Sequence, residues 1–377
     1  MEENQFCEKL FSRANGNEKG TMHKFLYTPK ELEKSAFGLP RKLSRIDDRF
    51  FRFFAYTVLL SLVFLKTSVL ESYMLHQKTI EHEWKEENLP PFNELMLSWN
   101  APRPSDGKYL FYISVKTDGW TPWLLYASWG SDGQSSFLNP TPDETVRVYQ
   151  DALEVMKGGK ATGFQIKAAA EGNANLDNIY GLHVYINSDR SQDFPKTSVS
   201  QFLQLPVAGL SQITLNHARA SDLCSPTSTT AVVRYLSKNP AIDPVDFAQK
   251  SWDKGFDIFG NWVFNAAQAA AKLGPSWNCW VERLQGFDDI YQRLKQGTPV
   301  IISVRGPLPG SAKEYAKGHL MAVIGCDPDQ QKVICMDPAF PSDKQTITRY
   351  DLTDLIQAWN RRGKVAYIFD QAIKQSF

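Results

Sequence analysis

The chain has 377 residues, 42% apolar and 22% charged, with 42 Lys plus Arg against 41 Asp plus Glu. That length fits two or three domains, and the composition excludes wholesale disorder and collagen-like classes. A formal charge of +1 gives no global field to attract nucleic acid or an anionic membrane. Five scattered cysteines with no C-x-x-C pair exclude a disulfide-stapled scaffold, a zinc ribbon and a thioredoxin-like redox site. No metal or organic cofactor is expected.

Residues 1–52 are polar and lack strong periodicity, which predicts a tail with one short helix near Pro29–Ser35. Arg41, Lys42, Arg45, Arg49 and Arg52 then precede an apolar run, Phe53–Leu65. As a helix, a run of 13 residues is about 20 Å long, short of the roughly 30 Å hydrocarbon core of a bilayer. Its length and basic flank fit the apolar region of an export signal, although it starts late and no A-x-A site follows. The competing reading is a buried helix continuing through Ser72–Trp84. The expectation is an extracytoplasmic protein, secreted or held by a single membrane anchor. Residues 85–95, with Pro90–Pro91, are expected as linker, closing a 53–90 segment.

Short alternating segments follow over residues 91–190: 108–117, 123–130, 144–156, 162–172 and 182–188. Turn clusters separate them at intervals that predict an antiparallel β-sandwich. A polar linker, 189–204, leads into a mixed segment, 205–377. Helices are predicted over Pro226–Leu236, Trp262–Leu273 (stopped by Gly274), Asp288–Gln296 (stopped by Gly297) and Leu352–Trp359 (capped by Asp351). Strands are predicted over 300–304, 319–327, 332–337 and 364–369, the middle pair as a hairpin. Helices first and strands afterwards make an α+β domain, so the fold class is α+β with a preceding β-sandwich.

The chemistry gathers in SDLCSPTSTTAVVRYL, residues 221–236. Cys224 falls just before a helix opened by Pro226, where unpaired N–H groups and the helix dipole favour a thiolate. By itself a free cysteine there reads as a small buried hydrophobe, which is what most free cysteines are. His319 opens one strand of the predicted hairpin and Asp337 closes the next, so the two are expected as neighbours. A carboxylate that fixes an imidazole facing a thiol is the recipe for an activated nucleophile. Taken singly, His319 also reads as a satisfied strand-end histidine, Asp337 as a turn residue before Pro338 and Gln212 as a surface residue.

The motifs Ser211–Gln212, Cys224–Ser225–Pro226–Thr227–Ser228, Gly318–His319 and Asp337–Pro338, in that order, resemble those of the C-39-like cysteine peptidases. These are papain-like enzymes related to the double-glycine peptidases that process bacteriocin precursors. The likeness covers about residues 205–370, and the preceding segment, with Ser98–Trp99–Asn100 and Trp120–Thr121–Pro122–Trp123, looks like the module that precedes secreted bacterial members. The resemblance implies a papain-like fold with Cys224 as nucleophile, His319 as general base and acid, Asp337 as its orienter and Gln212 as an oxyanion donor. It implies hydrolysis of a peptide or isopeptide bond, with a peptide or protein as partner and no nucleic acid; oligomeric state is left open. Ser225 stands where the double-glycine enzymes carry Gly, and a side chain there is expected to crowd the oxyanion side and disfavour a Gly-Gly leader. A transpeptidase, amidase or deamidase is the first alternative, and a non-catalytic binding or adhesion protein on the same scaffold is the second.

Weaker constellations are Cys326 with Cys335 on adjacent strands, the Trp120/Trp123/Trp129 set and the loop Arg305–Lys317. Each has an ordinary structural explanation: reduced core thiols, the inner face of a sheet, a surface loop.

Overall fold

Most strands pair antiparallel, and several, such as Glu94–Asn100 and Gly181–Asn187, are buried along their whole length. The computed structural model describes residues 83–188 and 199–372, with backbone alone at 24–25 and 71–75. The predicted tail helix Pro29–Ser35 and the apolar run Phe53–Leu65 lie outside the described residues. Among the described residues no helix is long and apolar enough to cross a membrane.

The first part of the chain forms two sheets. One has five strands in the order Glu83–Phe92, Ala161–Glu171, Lys108–Lys116, Leu124–Gly130, Gly133–Ser136. The other runs Lys24–Phe25, Glu71–Leu75, Gly181–Asn187, Glu94–Asn100, Ala152–Val155, Val146–Tyr149, Leu138–Pro140. Trp99 of the second sheet stacks on Phe111 of the first, with ring centroids 4.4 Å apart. Both rings are fully buried.

Two expectations are corrected here. Residues 85–92 are not linker but part of the edge strand Glu83–Phe92, paired with Ala161–Glu171. Pro90 and Pro91 fall where the register of that pair shifts, and an edge strand at an irregularity tolerates residues with no N–H to donate. Residues 144–156 are not one strand but a hairpin, Val146–Tyr149 with Ala152–Val155, turned at Gln150, whose φ is 55°.

The second part is a seven-stranded sheet in the order Trp277–Arg283, Val365–Gln371, Val300–Gly306, Tyr315–Asp327, Lys332–Met336, Ile347–Asp351, with Leu203–Gln204 also pairing with Tyr315–Asp327. Five α-helices accompany it: α1 (Cys224–Ser237), α2 (Pro244–Gln249), α3 (Trp262–Leu273), α4 (Phe287–Lys295) and α5 (Leu352–Asn360). Helix α3 ends at Gly274, at φ 73°, and α5 starts at Asp351, whose carboxylate accepts from the Thr353 and Asp354 N–H groups. Helix α2 and the strands Trp277–Arg283 and Ile347–Asp351 are additions to the sequence-based elements. The first had a legible start in Asp243–Pro244, a cap and first-turn pair.

The two parts share one apolar core, in which Phe264 of α3 meets Trp99 edge-on at 5.8 Å. Polar side chains also stitch the parts together. The Asn100 amide accepts from the Cys279 N–H at 2.7 Å and donates to the Cys279 carbonyl at 3.0 Å. Glu94 and Arg283 form a buried bidentate ion pair, 2.6 Å at each contact. Asp253 accepts from the Ser136 N–H at 3.0 Å and from the Asn261 side chain at 2.9 Å, tying a loop of the second part to an edge strand of the first.

Candidate active site

Cys224 is the first residue of α1 and is partly exposed. The residue before it, Leu223, supplies no side-chain cap, so the first-turn N–H groups stay oriented toward the sulfur end of the helix. The helix face behind Cys224 is small and polar: Thr229 and Thr230 hydroxyls donate to the carbonyls four residues back. Ser228 donates to the Leu320 carbonyl at 3.1 Å, fixing α1 against the strand that carries His319.

His319 follows Gly318, whose φ of +102° lets the chain turn as the strand passes Val304, the cross-strand partner of His319. The ring is buried, and Nε2 lies 2.8 Å from Asp337 Oδ1. Asp337 begins the turn after Lys332–Met336 and is fully buried. Its Oδ1 also accepts from the Ala339 N–H at 3.0 Å, and its Oδ2 accepts from the Tyr315 and Tyr350 hydroxyls, each at 2.6 Å. Burial opposes the charge on this carboxylate, but the adjoining imidazolium and these donors outweigh it and hold its pKa below the ordinary value.

With Nε2 on Asp337, the other ring nitrogen is left for the thiol, and Cys224 and His319 each shift the other's titration. Burial pushes the Cys224 thiol up; the His319 charge, its hydrogen bond and the Leu320 and Ser225 N–H groups outweigh that and bring it below an ordinary thiol. Burial likewise pushes His319 down, while the charges of Asp337 and Cys224 raise it to about 9. Both shifts run in the direction that favours a thiolate facing an imidazolium. The other described cysteines go the opposite way: burial raises Cys279 and Cys335, and lifts Cys326 to about 11.

Gln212 sits beside this pair in the chain path, its N–H donating to the Pro338 carbonyl at 2.9 Å. Its side chain does not present a free donor. Nε2 gives its two hydrogens to the carbonyls of Ala220 at 3.0 Å and Ser221 at 2.8 Å, and Oε1 is buried without a partner. To serve a developing oxyanion it must release one of those carbonyls. Ser225 also departs from expectation. Its side chain is buried and its hydroxyl lies 2.8 Å from the Tyr367 hydroxyl, so it points into the core.

The remaining candidates disperse. Cys326 and Cys335 are both free thiols, paired across strands with Val333 and Val323. Trp129 is buried, whereas Trp120 and Trp123 lie under Lys85 and Lys167 at 5.1 and 4.7 Å, so the three share no face. His217 accepts from the Arg219 N–H at 3.0 Å, a local turn contact. Among the described residues no group of three or more His, Cys, Asp and Glu is placed to hold a metal ion. Sequence reasoning missed Tyr315, Tyr350 and Tyr367. Tyr315 fell in the segment 305–317 expected as a loop, whereas the structure extends the His319 strand back to it and so places both on one face.

A thiol at a helix N-terminus, against an imidazole oriented by a buried carboxylate, is the arrangement that thiol-based acyl transfer requires. Residues 204–367 match the model of the Peptidase_C39 like family, which supports a C39-like, papain-like peptidase domain in this segment. The family points to a cysteine peptidase or a related transglutaminase-like activity, acting on a protein or peptide. No curated protein matches the chain.

Proposed function

We propose that the protein is a papain-like cysteine peptidase that hydrolyses peptide or isopeptide bonds through a Cys224 thioester. The observation that carries this reading is His319, whose Nε2 rests on the buried Asp337 at 2.8 Å while Cys224 stands at the start of α1 with its thiol lowered by that imidazole. The thiolate attacks the scissile carbonyl carbon, and the imidazolium gives its proton to the leaving amine. Water then attacks the thioester with the neutral imidazole as base, and the thiol is regenerated. The Cys224 N–H, at the start of α1, is the natural donor to the oxyanion. Gln212 acts mainly as a prop, holding the Ala220–Ser221 carbonyls so that the chain enters α1 with the thiol toward His319.

The two sheets of the first part are read as a β-sandwich docked on this domain, and Phe53–Leu65 as an export signal or single anchor that places both parts outside the cytoplasm. The test of the enzyme reading is turnover of a fluorogenic peptide library by the wild type and by Cys224→Ala. Cleavage by the wild type alone supports it, and equal cleavage by Cys224→Ala refutes it.

A further inference from the structure

Tyr315 does two things at once. Its ring lies flat on His319, with centroids 4.0 Å apart and 15° between planes. Its hydroxyl donates to Asp337 Oδ2 at 2.6 Å. Tyr350, from the strand Ile347–Asp351, donates to the same oxygen at 2.6 Å. Both phenols are raised, by burial first and then by the Asp337 charge, so each stays a protonated donor across the working range.

We propose that Tyr315 and Tyr350 are positioning residues that lock Asp337 in its charged form and, through the Tyr315 ring, hold the His319 imidazole in the plane that faces Cys224. This deepens the reading of Cys224 and His319 as the reacting pair and rests on it. The geometry supplies the reason. Asp337 offers two oxygens in a site closed to water, and four donors fill them: His319 and Ala339 on Oδ1, the two tyrosines on Oδ2. A buried carboxylate with fewer donors takes up a proton more readily, because burial then dominates. A protonated Asp337 no longer favours imidazolium, and the ion pair reverts toward neutral thiol and neutral imidazole. The groups facing His319 are Cys224 from α1, Asp337 from the turn after Lys332–Met336 and Tyr315 from its own strand. Tyr315 and Tyr350 come from separate strands and converge on one oxygen.

The experiment follows the rate of Cys224 alkylation by iodoacetamide against pH in the full chain, for wild type, Tyr315→Phe, Tyr350→Phe and Tyr315→Leu, with thermal unfolding of each run alongside. Tyr315→Phe keeps the stacked ring and loses the hydroxyl; Tyr315→Leu loses both. The expected result is an acid-side onset moved to higher pH by about half a unit or more in both Phe variants, as loss of one donor to a buried carboxylate implies. In Tyr315→Leu the plateau rate should fall as well, by about tenfold, since a loosened imidazole leaves near-attack geometry. Phe variants that unfold cooperatively like the wild type and give profiles superimposable on it overturn the proposal, while leaving the reacting pair in place. A wild-type thiol that alkylates only as an ordinary thiol does, near pH 8.5, instead sinks the peptidase reading itself. The two Phe variants test the lock at different strands, so misfolding of one leaves the other decisive.

Discussion

The Ser225 and Tyr367 hydroxyls lie 2.8 Å apart, deep under the first turn of α1. The side chain directly after Cys224 therefore anchors the helix start to the strand Val365–Gln371. Ser225→Ala leaves the Tyr367 hydroxyl buried without its partner, which should cost about 1–3 kcal/mol of stability. Peptide turnover per folded molecule should stay within about threefold of wild type, since the removed atom faces away from the reacting carbonyl. Urea unfolding and kcat on one fluorogenic peptide measure both. A large fall in kcat at unchanged stability would place the Ser225 hydroxyl in the oxyanion site after all.

The pH dependence of turnover follows from the two opposed shifts. Thiolate appears as pH rises through the lowered Cys224 value, so the acid limb of kcat/KM should lie below the ordinary thiol range. The imidazolium that protonates the leaving amine is lost as pH rises through about 9, which sets the alkaline limb. A bell with its alkaline limb near the ordinary histidine value of about 6.5 would mean that Asp337 does not hold the proton on His319.

Substitutions at the site should form a ranked series. Cys224→Ala abolishes turnover, since the other described thiols are buried and raised. His319→Ala comes close behind, because it removes both the ion-pair partner and the proton donor. Asp337→Asn falls between these and wild type, as an amide still orients the ring without stabilising imidazolium. Gln212→Ala should lower kcat by less than the roughly 10²-fold expected for a lost oxyanion donor, because both its N–H groups are already bound to carbonyls. A loss of about 10³-fold at constant KM would show that Gln212 trades a carbonyl for the oxyanion during turnover.

The pair Glu94 and Arg283 crosses from the first part of the chain to the second and is buried. Glu94→Ala strands a buried guanidinium and should cost about 3–5 kcal/mol. Because the two parts share one core, chemical denaturation should remain a single transition for wild type. A wild-type protein that unfolds in two separated steps would contradict that shared core.

Local signals in the sequence located most of the second part. The stop at Gly274, the Asp351 cap and the hairpin of 319–327 with 332–337 are written in a few adjacent residues each, although the first strand starts earlier, at Tyr315. The same hairpin logic placed His319 beside Asp337, because antiparallel pairing makes the partners of a short turn predictable. Cys224 at a helix start was legible from Pro226 two residues on.

What the sequence by itself determined was the order of most elements and the local chemistry near their ends: a thiol at a helix start, a histidine on one strand of a hairpin, though four residues inside it and not at its opening, and an aspartate just past the end of the next. What only the tertiary structure decided were the partners that come from far along the chain. Residues 85–92 look like linker because their prolines are read alone, yet the edge of a sheet 70 residues away accepts them. Ser225 looks obstructive until Tyr367 appears beneath it, and Gln212 looks free until two carbonyls claim its hydrogens. Tyr315 and Tyr350 meet on one oxygen of Asp337 because two strands happen to flank it. Such contacts depend on long-range packing and on the demand that every buried polar group find a partner, and neither leaves a pattern in neighbouring residues.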